Sequence, residues 1–116
     1  MMDDAKALAA LGALAQETRL RVFRLLVGVG PDGLAAGEIA RRASVPAATL
    51  SFHLKELDRS GLLTSHRESR QVIYRVDFSA MRGLVDFLVQ DCCNGHPEVC
   101  GIALQACKAA VEPAAG

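Results

Sequence analysis

A chain of 116 residues, 51% of them apolar, is the size of one domain and can bury a modest core without disulfide support. Its 13 Lys/Arg balance 13 Asp/Glu, so it is no uniformly basic coat for a polyanion, and no apolar run reaches the ~20 residues of a membrane span. The opening MMDDAKALAALGALAQE starts with acids, has no basic leader and carries charge in a helical rhythm, so it reads as a helix and not a signal peptide. The expected compartment is therefore a reducing cytoplasm.

Ala5 to Leu14, rich in Ala and Leu, predicts a helix with little contrast between its faces. From Thr18, as N-cap, a second helix puts Leu20, Phe23, Leu26 and Val27 on one stripe with Arg19, Arg21 and Arg24 largely off it. It should end in the Gly28–Gly33 segment around Pro31. A short helix over Ala36–Ala43 turns Ile39, Ala40 and Ala43 inward. Ser44-Val45-Pro46 breaks it, and Pro46 suits the start of the next helix. There Leu50, Leu54 and Leu57 form the buried stripe, and Gly61 ends the helix. Two short helices around a tight turn, with small Ala40 at the crossing, make a helix-turn-helix pattern. Strands at Leu62–His66 and Gln71–Val76, around a polar turn at Arg67–Arg70, add a wing. A last helix, Ser79 to Asp91, carries Met81, Leu84, Val85 and Leu88. The fold class is thus mainly α with a β-hairpin wing, a winged helix-turn-helix over residues 1–91, followed by a tail over residues 92–116.

The charges are segregated. Glu38–Arg75 holds seven Lys/Arg against four Asp/Glu, whereas Val76–Gly116 holds two against five. The basic excess coincides with the helix-turn-helix and wing. If the leucines of the second helix point inward, Ala47, Ala48, Thr49, Ser51, His53 and Lys55 form the opposite face. Small residues at the helix start admit it to a major groove, Thr49 and Ser51 hydrogen-bond, and Ala47 or Ala48 meets a thymine methyl. Arg42, Lys55, Arg59, Arg67 and Arg70 would hold phosphates. The expected partner is double-stranded DNA.

ALAQETRLRVFRLL followed by LSFHLKELDRSGLLTSHRESRQVIYRV closely resembles the ArsR/SmtB winged-helix metalloregulators. The shared signature comprises Ser51, His53, Leu54, Leu57, Gly61, Leu62, Arg67, Glu68 and Tyr74, over residues 5–91. Ser69 departs from it where a wing-turn glycine is usual. The resemblance implies a homodimer joined through first and last helices, and a repressor that leaves its operator when an inducer binds. Such a dimer reads half-sites about one helical turn, ~34 Å, apart.

All four cysteines, Cys92, Cys93, Cys100 and Cys107, fall in the last quarter of the chain. No cysteine lies near the recognition helix and no histidine lies on the last helix, two places where family members carry ligands. What remains, CCNGHPEVC, looks like the carboxy-terminal Cys-Cys…Cys arrangement of an arsenite-responsive group. Asn94-Gly95 and Pro97 favour a reversal that returns Cys100 over Cys92 and Cys93. Three soft thiolates suit As(III) or Sb(III) as inducer. Zinc or cadmium, with Cys107 or His96 completing four ligands, a thiol redox switch and inert thiols are the competing readings. No Cys-x-x-Cys and no phosphate-cradling loop is present, so the chain does not read as an enzyme.

Overall fold

The computed structural model describes residues 2–89. The chain divides into two compact units between Leu84 and Val85, within its last described helix. Helix α1, Asp4–Leu14, is capped by Asp3, whose Oδ1 accepts from the Lys6 N–H at 2.8 Å. It buries Ala7, Ala10 and Ala13 and leaves Leu8 69% exposed. The small side chains face the core, so the helix lies close to it, and the large ones face out.

Helix α2, Glu17–Val29, begins one residue before the expected cap: Gln16, not Thr18, caps it, accepting from the Arg19 N–H at 2.8 Å. Its buried residues are Val22, Phe23 and Leu26, while Leu20, expected inside, is exposed. Gly28 lies within the helix, and Gly30 stops it at φ 95°. A two-residue strand β1, Leu34–Ala35, follows, which the sequence reading lacked. Helix α3, Ala36–Ala43, has its expected bounds, with Ile39 and Ala43 buried, and Ser44 closes it in the left-handed conformation.

Helix α4, Ala47–Arg59, starts after Pro46, and Ser60 and Gly61 end it. Strands β2, Leu63–Glu68, and β3, Gln71–Val76, form the hairpin. Helix α5 runs Phe78–Val89, with Asp77 accepting from the Ala80 N–H at 3.0 Å. The expected extension of this helix to Asp91, and all four cysteines, lie outside the described residues.

The sheet is antiparallel in the order β1-β3-β2. The core gathers Val22 and Leu26 of α2, Ile39 of α3, Leu50, Leu54 and Leu57 of α4, and Leu62 and Leu63 at the entry to β2. At about 1.5–3 kcal/mol for each large apolar side chain taken from water, this cluster fixes α4 against the domain and leaves its other side to solvent. The fold is a winged helix-turn-helix.

Candidate nucleic-acid interface

The leucine stripe decides what α4 presents. With Leu50, Leu54 and Leu57 inside, Ala47, Ala48, Thr49, Ser51, Lys55 and Arg59 are exposed, as the sequence reading has them. His53 is a correction. It is 8% exposed and lies on the buried side, next to Leu54 and one turn from Leu50 and Leu57. Its Nδ1 has no partner among the described residues. Burial, then the nearby Arg19 guanidinium, pushes its pKa down. A neutral imidazole inside the domain does not serve as a groove contact.

Phe52, by contrast, had no role in the sequence reading, yet it is 59% exposed on the outward face. A helix turns about 100° per residue, so a position two after Leu50 points nearly opposite to it, a signal present in the sequence.

The cations fall into two groups. Arg42 Nε donates to Glu38 Oε2 at 2.8 Å, and Arg41 donates to both oxygens of the same carboxylate, its Nε reaching Oε1 at 3.1 Å. These bonds hold the Glu38 carboxyl down at about 2, against an ordinary 4.5. Arg59 is bound to Glu56, which also lies 3.9 Å from Arg19. Among the described residues, Lys55, Arg67 and Arg70 have no carboxylate within ion-pair distance.

Arg67 lies on β2 and not in the turn, because the hairpin closes through Ser69-Arg70 alone. Its register places it across from Val72, on the same sheet face as Ser65–Tyr74 and Leu63–Val76. That is the side next to α4: Val72 and Tyr74 line a hollow of ≈ 180 Å³ with Leu50, Ser51 and Leu54. Arg67 thus emerges beside the recognition helix. His66 is on the opposite face, 2.9 Å from Glu68. Arg70 is exposed at the hairpin end, where it lines a cleft of ≈ 520 Å³ with Glu38 and Gly37 of α3. Ser69 takes a φ of 56° there, the conformation for which glycine is suited.

This arrangement offers hydroxyls and small side chains at the start of a helix whose outer face is exposed, cations along it, and a further cation from the wing beside it. Among the described residues no group of three His, Cys, Asp or Glu is placed to hold a metal ion. No described helix is long and apolar enough to cross a membrane.

Residues 14–66 match a family profile described as a helix-turn-helix domain. HlyU from Vibrio cholerae, a transcriptional activator by name, has a solved structure to which this chain is 30% identical. That match has a TM-score of 0.62 and covers 79% of this chain and 99% of the other. A structure of reduced HlyU from the same organism is 34% identical, with a TM-score of 0.56 over 72% and 88% of the two chains. An ArsR-like transcriptional regulator from Rhodococcus shares the fold, with a TM-score of 0.69 at 24% identity over 88% and 93%. The homodimeric winged helix-turn-helix domain of a possible ArsR-family regulator from Mycobacterium bovis is 25% identical, with a TM-score of 0.61 over 83% and 91%. Since 99% of HlyU is covered at 30% identity and the fold is shared with a possible ArsR-family winged helix-turn-helix domain, this chain belongs to the ArsR/SmtB family of winged-helix transcriptional regulators.

Proposed function

We infer that the protein binds operator DNA as a homodimer and represses transcription until an inducer engages its carboxy-terminal thiols. The observation that carries DNA binding is the placement of Lys55 on the exposed face of α4 and of Arg67 on the wing face that turns toward α4, both exposed and both without a carboxylate partner among the described residues. Dimerisation is supported by the exposed leucines Leu8 and Leu11 of α1, by Val85 and Leu88 of α5, and by the homodimeric relative. Apolar side chains of that size gain from leaving water.

The inducer reading rests on the sequence. Cys92, Cys93 and Cys100, with Cys107 as a further thiol, are soft donors suited to As(III) or Sb(III). For induction, the ligand must bind the DNA-free form better, and a coupling of ~1–3 kcal/mol is typical. Operator DNA then weakens inducer binding by the same factor. A second reading is a thiol redox switch on the same four cysteines; of the relatives, HlyU has a structure described as reduced.

Salt titrations of duplex binding test the DNA contacts. Lys55→Ala and Arg67→Ala each lower the slope of log K against log salt by about one in each half-site. Unchanged slopes would remove both residues from the interface. Cys100→Ser tests the thiol site: if the metalloid reading holds, arsenite releases the native protein from DNA but not the variant, whereas inert cysteines predict the same behaviour of both. If peroxide alone releases the native protein and dithiothreitol restores it, the redox reading takes its place.

A further inference from the structure

Helix α4 carries one large apolar side chain where its chemistry predicts none. Leu50, Leu54 and Leu57 are buried to 1% exposure or less, yet Phe52 stands 59% exposed among hydrophilic neighbours. An aromatic ring left in water forgoes part of the gain of burial, which a covering partner would return. Ala48, one turn before Phe52 on the same line, is also exposed, so the two form a small apolar island on the outermost strip of the helix.

The ring is held on one side. It meets the buried His53 imidazole edge-on, with centroids 5.6 Å apart and planes at 62°. Its other side faces outward. Thr49, Ser51 and Lys55 surround it, and Arg67 stands beside the helix on the wing. A protein partner's apolar patch would be poorly matched by so hydrophilic a frame. A DNA major groove matches it: rows of phosphate at the sides, hydrogen-bonding base edges on the floor, and the 5-methyl of thymine as the one apolar group there.

Resting on the DNA-binding reading above, we propose that Phe52, backed by Ala48, reads thymine 5-methyl groups and thereby sets sequence preference at the centre of each half-site. The ring, already fixed against His53, loses little freedom on contact. Its role is selection, in contrast to the uniform phosphate affinity supplied by Lys55 and Arg67.

The test uses the full chain. A duplex about three helical turns long is selected by the native protein from a random-sequence pool, then synthesised with thymine and again with deoxyuridine, which deletes only the 5-methyl. The native protein should bind the uracil duplex about fourfold more weakly for each methyl contacted, the worth of one buried CH₂, and more than about tenfold for a symmetric pair of contacts. Phe52→Ala and Phe52→Gln should bind both duplexes equally, with folding followed by circular dichroism. Equal native affinity for the two duplexes overturns the thymine reading and leaves DNA binding standing. Undiminished thymine preference in both variants also overturns it, by assigning the methyl to another residue. Failure to enrich any duplex removes the DNA-binding reading and this inference with it.

Discussion

Gly33 and Tyr74 are in backbone contact. Gly33 has φ 72°, and a Cβ added there would lie 2.8 Å from the Arg75 Cβ and closer still to the Tyr74 carbonyl oxygen. The neighbouring residue Leu34 pairs with Tyr74 in the sheet, so the close approach is what seats β1 against β3. Gly33→Ala combines a left-handed backbone with a clash against main chain that cannot rotate away. It should destabilise the domain by about 3 kcal/mol in urea unfolding, whereas Gly28→Ala, within α2 and in open space, should stabilise it by a few tenths to ~1 kcal/mol.

Glu38 restrains two arginines of α3. Removing its charge by Glu38→Gln leaves Arg41 and Arg42 without the carboxylate that now compensates them. Affinity for any duplex should rise, and the salt slope should steepen by about one to two for each protomer. In the native protein this pairing responds to acid late. A depressed carboxyl keeps its contribution above the ordinary 4.5 and loses it only as pH falls toward about 2, so NMR should find Glu38 ionised at pH 4.

His53 gives the domain an acid sensitivity of its own. Burial depresses its pKa below the ordinary 6.5, so the unfolded chain takes up the proton first. The stability that accompanies the neutral ring is whole above pH 6.5 and declines as pH falls through the lower, folded-state value. His53→Leu removes the unpartnered Nδ1 and the titration together. Urea midpoints between pH 5 and 7 should slope upward with pH in the native protein and be flatter in the variant.

Ser69 occupies the wing turn at φ 56°, strained for a residue with a side chain. Ser69→Gly should raise stability by about 0.5–1 kcal/mol in thermal or urea unfolding. The hairpin register through Glu68–Gln71 is retained, so duplex affinity should be unchanged.

What the sequence disclosed follows from how sharply each pattern sets a phase. The bounds of α3 and the inward leucines of α4 were legible because charged residues flank the apolar ones at helical spacing. The hairpin was legible from its alternation, though Arg67 sits on a strand because a two-residue turn takes up less chain than the polar run suggests. In α1, Ala and Leu are both apolar, so no polarity contrast says that Ala7, Ala10 and Ala13 go inside. β1 is two residues long and has no period to read. The chemistry of His53 suggests a contact, although the spacing 50, 53, 54, 57 is that of one buried seam. The chemistry of Phe52 suggests the core, although its spacing from Leu50 and Leu54 puts it on the opposite face. The thiol cluster is read from residue type, spacing and the family resemblance, and lies outside the described residues.

The middle position of β3 in the three-stranded sheet has a mechanical result. One edge of this strand is bonded to the other arm of the hairpin, and its other edge to the short strand that runs directly into α3. The arm bearing Arg67 is therefore joined to α3 through β3 and β1. The two-residue ladder of β1 on β3 thus ties the start of α3 to the hairpin through main-chain hydrogen bonds, a link by which a tilt of α3 would reach the wing.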